Sequence, residues 1–326
     1  MTNQVSLLAI LLLFVGMIMP TCAQEVSIAQ APSEASTSEH FACPMHSDVS
    51  SSKPGKCSKC GMELKAISAA ITEEFIVRIE SLPKHIQPGQ KTRLRFVIFN
   101  PRTKEQVKDF NIQHEKPFHL FIVRADLKHF DHIHPVQQPD GSFTIETILP
   151  QAGLYHVFCD ISPVGGVAQT IHQNLVTAGF KGDSASLQAR LQPDQQLTKT
   201  VEGLRITLDF APETPTAGQP ALLRYKLSDA HSGQPIQDLQ PYLGAWGHTV
   251  ILSADAMDYL HSHPLEDHAT ETKLRPAKAP ATIYFETFFP RAGMYRIWSQ
   301  FQRQNKLITV YFDLKVTGKE GWLGEM

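Results

Sequence analysis

The sequence predicts an all-β protein in which a small cysteine-rich N-terminal module precedes two tandem antiparallel β-sandwiches. Alternating or β-branched runs separated by Pro and Gly turns, which are typical of antiparallel strands, fill residues 76–178 and 199–318. These two stretches also repeat each other's sequence, which indicates two copies of one fold. Three of the five cysteines fall within residues 40–66, a segment too small to have a core of its own.

The N-terminal segment 1–39 is expected to direct the chain out of the cytoplasm. Residues 5–19 form an apolar stretch with the length of a secretory signal core, which is short for a membrane-spanning helix. Small residues suitable for cleavage follow at positions 21–23. We therefore expect a signal peptide at 1–23, a flexible tether rich in Ser, Ala, Gln and Glu at 24–39, and a periplasmic protein. An uncleaved anchor and a lipidated Cys22 are the alternatives, and either would bring the chain to a membrane.

Composition and motif content argue against two function classes. The 30 basic and 32 acidic residues give a net charge of −2, and no basic patch indicates a nucleic-acid partner. The sequence shows no nucleophile–base pair, phosphate-binding loop or paired-carboxylate motif. We therefore expect neither nucleic-acid binding nor enzymatic activity.

The module at 40–66 has the residue spacing of a metal site. Cys43 and His46 stand as C-x2-H, Cys57 and Cys60 stand as C-x2-C, and a short spacer separates the pairs. Two such pairs on facing turns can close a tetrahedral site of three thiolates and one imidazole. Export favours disulfides, but this spacing fits a metal site better than a disulfide framework. A disulfide between Cys57 and Cys60 is the alternative.

The same module carries a wider motif. It reads Phe41-Ala-Cys-Pro-Met-His46, then Pro54-Gly55, then Cys57-Ser-Lys-Cys-Gly-Met62. This pattern resembles the heavy-metal-binding domain found at the ends of copper-transporting P-type ATPases and in periplasmic adaptor subunits of copper and silver efflux systems. Ser47 and Ser58 stand where that family usually has prolines, which affects stiffness and not the ligands. The resemblance implies a metal-efflux component as a partner and these metal-contacting residues: Cys43, Met45, His46, Cys57, Cys60 and Met62.

Two kinds of ion fit the module. Three thiolates with His46 suit a closed Zn(II) site that staples a segment without a core. Thiolates with the thioethers of Met45 and Met62 suit Cu(I) or another soft heavy metal, because soft ligands select soft ions. The methionines favour copper, and zinc stays the alternative.

The two sandwiches are copies at a nearly constant offset. Gly89-Gln90 matches Gly218-Gln219 and His119 matches His248, with the same separation in both cases. The second copy then has a short insertion, after which the segment 286–295 matches 146–155. We therefore predict Ig-like sandwiches at 76–178 and 199–318, linkers at 67–75 and 179–198, and a tail at 319–326. The strands are similar to small Ig-like domains of bacterial exported proteins linked to metal handling.

Each copy carries the histidine pattern H-x12-H-x-H-P. Side chains two apart on a strand share a face, and a hairpin around Asp126-Leu127 or Asp255-Ala256 would bring the first histidine opposite the last. Opposed positions lie close enough for imidazoles to share a Cu(II) or Zn(II) ion. The alternative is that these are half-buried strand residues without metal. The candidate ligands are His119, His132, His134, His248, His261 and His263.

Cys159 follows a Gly-x-Tyr strand that partly resembles the strand leading to the copper-binding cysteine of blue-copper proteins. The second copy has Ser299 at this position, and no His and Met follow Cys159 at short spacing. We therefore expect Cys159 to be a buried structural thiol.

The sequence thus predicts an exported metal-binding protein that sequesters or hands over copper or a related heavy metal. The alternative is a structural or adhesion scaffold of β-sandwiches with a zinc-stapled module. A copper oxidoreductase that uses Cys159 and the histidines is a third hypothesis, and the absence of catalytic motifs weakens it.

Overall fold

The computed structural model describes residues 40–42, 49–56, 63–67, 73–182, 189–265 and 278–318. These residues form twenty β-strands and no α-helix, which confirms the all-β fold class. Within this part of the chain, no helix has the length and hydropathy needed to cross a membrane.

The N-terminal module has a small antiparallel sheet in the order β2-β1-β3. The strands are β1 (His40–Ala42), β2 (Ser50–Ser51) and β3 (Lys65–Ile67). Phe41 and Leu64 are buried at 9% and 8% exposure. The amide of Leu64 donates to the carbonyl of Gly55 at 2.8 Å. The backbones of Lys56 and Glu63 form an antiparallel β-bridge. The backbone therefore brings together Lys56 and Glu63, the described residues on either side of 57–62.

The first repeat is a sandwich of two four-stranded sheets, in the orders β4-β5-β9-β8 and β11-β10-β6-β7. Its strands are β4 (Ile76–Leu82), β5 (Lys91–Phe99), β6 (Phe118–Arg124), β7 (Phe130–Ile133), β8 (Val136–Gln137), β9 (Phe143–Ile148), β10 (Leu154–Ile161) and β11 (Gln169–Val176). Alternate residues of both sheets, such as Phe96, Leu120 and Val157, fill the core between them. This pattern is what period-2 burial of antiparallel strands requires.

The second repeat has the same architecture. Its strands are β12 (Thr198–Val201), β13 (Leu204–Ala211), β14 (Pro220–Asp229), β15 (Leu239–Gln240), β16 (His248–Ser253), β17 (Tyr259–Ser262), β18 (Thr282–Phe288), β19 (Gly293–Arg303) and β20 (Lys306–Val316). One sheet runs β12-β13-β14-β18, and the other runs β15-β19-β16-β17 with β20 also paired to β19. Strands β16, β17, β19 and β20 correspond to β6, β7, β10 and β11. The predicted pair of sandwiches is confirmed.

The two repeats pack against each other through the sheets that contain β6 and β16. Phe121, Val123, Val250, Leu252 and Trp298 belong to one hydrophobic cluster that joins both repeats, here termed the interrepeat core. The rings of Phe130 and Trp298 stack within it at 4.8 Å between centroids. Each of these sheets packs against the second sheet of its own sandwich on one face and against the other repeat on the opposite face. The strands β6 and β16 are therefore buried along almost their whole length.

The segment before β12 and one buried arginine strengthen this packing. Leu191 is 8% exposed and belongs to the interrepeat core. Arg296 makes two 2.7 Å hydrogen bonds to the carboxylate of Asp313 and donates at 2.6 Å to the carbonyl of Leu127 in the other repeat. A paired buried arginine that also satisfies a backbone carbonyl fixes the orientation of the two sandwiches.

Candidate metal centres

The structure leaves the predicted ligands of the N-terminal module untested. All six residues lie outside the described residues: Cys43, Met45, His46, Cys57, Cys60 and Met62. Their arrangement stays a prediction. The described backbone shows one contact near them, the β-bridge between Lys56 and Glu63 on either side of the C-x2-C-G-M segment.

The three predicted histidines of the first repeat converge on one point. β6 and β7 form the predicted hairpin, whose register pairs Leu120 with Ile133 and so continues to His119 opposite His134. The Nε2 atom of His132 lies 3.2 Å from His119 Nδ1 and 3.2 Å from His134 Nε2. The three nitrogens lie within 4.8 Å of one another, and we call this group the repeat-1 centre.

The second repeat builds the same arrangement. β16 and β17 pair Val250 with His261, which brings His248, His261 and His263 together with their ligand atoms within 4.8 Å of one another. This group is the repeat-2 centre. Three of its nitrogens, His248 Nδ1, His261 Nε2 and His263 Nε2, are buried and have no hydrogen-bond partner. Buried nitrogens without partners are costly, so three of them facing one point fit a bound cation.

The first histidine of each centre is oriented by a hydrogen bond to a backbone carbonyl of its own repeat. The Nε2–H of His119 donates to the carbonyl of Gln113 at 2.9 Å, and the Nε2–H of His248 donates to the carbonyl of Tyr242 at 2.9 Å. Gly247, the residue before His248, lies so close to the ring of Phe301 that a Cβ there would be 2.9 Å from it. In both repeats this bond leaves Nδ1 as the ligand atom.

The middle histidine of each centre is oriented by the other repeat. His132 Nδ1 donates to Gln300 Oε1 at 2.7 Å, and His261 Nδ1 donates to Asp160 Oδ2 at 2.9 Å. Both bonds leave Nε2 free to act as a ligand. The hydrogen bond that orients each middle histidine therefore forms only when the two repeats are packed together. The sequence did not predict the roles of Asp160 and Gln300.

The two centres are neighbours across the interface. Ring centroids of His132 and His248 lie 5.6 Å apart, and those of His119 and His261 lie 6.0 Å apart. His114, which was also not predicted, reaches from the first repeat and stacks on His263 at 3.5 Å. A cavity of about 230 Å³ lies against both centres and is lined by His114, His119, Asp160, His261 and His263, among others.

Burial keeps most of these imidazoles neutral. Burial, reinforced by the nearby His261, lowers the pKa of His119 to about 4. Burial and the neighbouring His119 lower the pKa of His134 to about 3. Burial also holds the pKa values of His132, His248 and His263 well below their usual range. A neutral imidazole is the form that binds a metal ion, so these histidines are ready to act as ligands near pH 7.

Cys159 is a buried thiol, as expected. It lies in the core of the first sandwich at 0% exposure, and burial raises its pKa. In the ladder between β6 and β10, Cys159 pairs with Leu120 while Asp160 pairs with His119. Because neighbouring residues on a strand face opposite sides, the thiol points away from the histidine centres.

Two families match the sequence. The heavy metal binding domain family matches residues 40–67, and the family described as a domain of unknown function, DUF8832, matches residues 72–178 and 199–318. The chain belongs to the DUF8832 family. Its two DUF8832 copies are the two sandwiches, with all six histidines of the centres inside them. The match at 40–67 confirms the predicted heavy-metal-binding module and supports a heavy-metal ligand in general.

No curated protein matches this DUF8832 sequence. Similar solved structures include the Escherichia coli adhesin FdeC, at 13% identity over 79% of this chain and 71% of that chain with a TM-score of 0.24. The fibronectin(III)-like modules of Clostridium thermocellum CbhA share 9% identity over 74% of this chain and 95% of theirs, with a TM-score of 0.19. Domains 4 and 5 of the S-layer protein SbsC share 12% identity over 76% of this chain and 100% of theirs, with a TM-score of 0.20. Because these scores are low, the fold assignment rests on the strands and sheets described above.

Proposed function

We propose that this DUF8832 protein is an exported metal-binding protein that holds copper or a related soft metal and hands it on. The heavy-metal-binding module supports the choice of a soft ion, because Met45 and Met62 add thioethers to its thiolates. One structural observation carries the extension of metal binding to the sandwiches. It is the convergence of three buried, unpartnered imidazole nitrogens in the repeat-2 centre.

The proposed role divides the work between the module and the histidine centres. The module captures Cu(I) through sulfur ligands, and the imidazoles receive the ion by ligand exchange or hold Cu(II) and Zn(II). The cavity of about 230 Å³ against both centres supports exchange, because it gives an incoming ligand room beside the imidazoles. Metal that stays bound for days against strong chelators would contradict a transfer role.

We propose binding and not catalysis. Four of the six imidazoles use their second nitrogen on a fixed acceptor: His119, His132, His248 and His261. An imidazole held in this way keeps its other nitrogen pointed in one direction, which is the arrangement of a metal-ligating histidine. The direction of Cys159 into the first sandwich core also separates the thiol from the histidines that a copper oxidoreductase would need.

Export and the partner belong to the same proposal. The apolar stretch at 5–19, followed by small residues, supports secretion to the periplasm. A component of a metal-efflux system is the proposed partner, because the module resembles domains of such systems.

An anaerobic Cu(I) titration against a competing chelator tests the proposal. The proteins compared are the reduced chain, a Cys43/Cys57/Cys60→Ser triple variant, and a His119/His134/His248/His263→Ala quadruple variant, each also titrated with Zn(II). We expect the triple variant to lose the tightest Cu(I) site and to keep the histidine sites. We expect the quadruple variant to keep the tightest site and to lose the others.

Two results would overturn this function. Retained zinc and weak copper binding at the module would make the module a structural staple. Unchanged stoichiometry in the quadruple variant would mean that the histidines hold no metal. Together these results would favour the scaffold hypothesis.

A further inference from the structure

We infer that the two histidine centres are chemically unequal, and that Asp160 makes the repeat-2 centre the tighter site for divalent ions. This inference rests on the proposed metal binding. It adds a residue that determines ion preference, and that residue lies in the repeat opposite the centre it serves.

Asp160 and Gln300 occupy equivalent positions of the duplicated fold. Each follows its matched tyrosine, Tyr155 or Tyr295, at the same spacing, on β10 and β19 respectively. Each crosses the interface to accept a hydrogen bond from the Nδ1 atom of the middle histidine of the other repeat. The two centres therefore share one design and differ at this position by a full negative charge.

The carboxylate of Asp160 is only half satisfied. Its Oδ2 atom accepts from His261 Nδ1 at 2.9 Å and from the hydroxyl of Tyr259 at 2.8 Å. Its Oδ1 atom is buried and has no hydrogen-bond partner, and the side chain is 12% exposed. A buried carboxylate in this state favours a nearby positive charge. An ion held by His261 supplies that charge one imidazole away.

Gln300 provides a neutral counterpart whose amide oxygen and amide nitrogen both have hydrogen-bond partners. Its Oε1 atom accepts from His132 at 2.7 Å, and its Nε2 atom donates to the hydroxyl of Thr309 at 3.1 Å. A carboxylate behind a ligating imidazole makes the imidazole a stronger electron donor than an amide does. The gain is larger for a divalent ion than for Cu(I), because Coulomb energy scales with the charge of the ion.

His114 is a second residue of the first repeat that lies against the repeat-2 centre. Its ring stacks on His263 at 3.5 Å and lies 5.5 Å from the ring of His248. The offset that relates His119 to His248 places Leu243 at the equivalent position of the second repeat. The first repeat thus gives the repeat-2 centre a carboxylate and an imidazole, while the second repeat offers an amide and a leucine at the matching positions.

The test measures each centre alone, so that repulsion between two bound ions does not enter. In the Cys43/Cys57/Cys60→Ser background, His134→Ala leaves the repeat-2 centre intact and His263→Ala leaves the repeat-1 centre intact. Zn(II) and Cu(I) dissociation constants are measured for both by competition with chromophoric chelators. We expect the repeat-2 centre to bind Zn(II) more tightly, with a smaller difference for Cu(I).

Two substitutions at the equivalent positions then assign the cause. Asp160→Asn should weaken Zn(II) binding at the repeat-2 centre by about 10- to 100-fold. The repeat-1 centre should weaken less, because Asp160 is hydrogen-bonded to His261 and only neighbours His119 across the strands. Gln300→Glu should strengthen Zn(II) binding at the repeat-1 centre, a gain that a folding defect cannot produce. Asp109→Asn, which removes the same charge from an exposed position of the first repeat, is the matched control and should change neither centre.

The outcomes separate this inference from the proposed function. If neither single-centre variant binds Zn(II) or Cu(I), the proposed metal binding of the sandwiches fails. If both bind Zn(II) equally, or if Asp160→Asn and Gln300→Glu leave the affinities unchanged, metal binding stands and the inequality is refuted.

Discussion

The metal-free protein should lose much of its stability when the pH falls from 7 to 5. Four histidines that are nearly fully buried have lowered pKa values in the folded protein: His119, His132, His156 and His248. Burial is the largest cause in each case. In the unfolded chain the same side chains titrate near a pKa of about 6.5. Below that pH the unfolded state therefore binds more protons than the folded state, and stability falls.

The size of the loss follows from linkage. Between pH 7 and pH 5, a histidine that stays neutral when folded and has an unfolded pKa of about 6.5 removes about 1.9 kcal/mol from the free energy of unfolding. Four such residues remove about 8 kcal/mol, which is comparable with the whole stability of an ordinary domain, about 5–15 kcal/mol. The loss begins below about pH 6.5 and levels off near the folded pKa, which is about 4 for His119 and His156.

Urea unfolding of chelator-treated protein at pH 7, 6 and 5 measures this loss. Tryptophan fluorescence is a suitable signal, because Trp246 and Trp298 are 3% and 4% exposed. A bound metal ion competes with protons for the imidazoles, so the metal-loaded protein should resist acid better than the metal-free protein.

A pair of variants tests the assignment to buried histidines. His156 belongs to neither centre. Its Nδ1 atom lies 3.0 Å from His172 Nε2 and 3.1 Å from Asn174 Oδ1. His156→Gln should therefore reduce the loss between pH 7 and pH 5 by about 1.9 kcal/mol. His85→Gln, at an exposed position, should not change it. A free energy of unfolding that is constant from pH 7 to pH 5 would refute the reasoning.

Three further outcomes are expected. Leu252→Ala in the interrepeat core should cost about 2–5 kcal/mol of stability and weaken metal binding at both centres. Leu227→Ala, inside the second sandwich, should cost a similar amount and leave the metal affinities of the folded protein unchanged. Equal effects of the two variants on metal affinity would contradict the dependence on interrepeat packing. Cys159→Ala should lower the free energy of unfolding by roughly 1–2 kcal/mol without changing Cu(I) or Zn(II) affinity, and a lost visible copper absorption would instead support the oxidoreductase hypothesis. His114→Leu, which copies the residue at position 243 of the second repeat, should weaken Zn(II) binding more at the repeat-2 centre than at the repeat-1 centre, because the His114 ring stacks on His263 at 3.5 Å and lies 6.5 Å from the ring of His119. An equal loss at both centres in the same titration would exclude a local role.

The fold and the grouping of histidines could be predicted because both depend on local periodicity. A spacing of two residues on one strand and a short hairpin turn determine which side chains meet. His119 and His134 therefore come together for reasons that lie within the single stretch 119–134. The duplication supplied the same prediction a second time for His248 and His263.

The partners of the middle histidines could not be predicted in this way. His132 and Gln300 are 168 positions apart in the chain, and their contact depends on how one finished sandwich docks on another. The sequence holds one signal of that docking. The run Phe118–Val123 is apolar apart from His119 and does not alternate, which is typical of a strand buried on both faces. It indicates that a second layer covers the strand, but not which residues that layer contributes.

The reciprocal bonds from Asp160 and Gln300 have the form of an isologous dimer interface, in which one surface meets a copy of itself. In a homodimer of a single sandwich, a substitution at this position would alter both centres at once, because one gene encodes both subunits. In one continuous chain the two positions vary independently. A single codon can therefore tune one centre for its ion while the other keeps its own, and the two sites can take on different tasks without losing the contacts that assemble them.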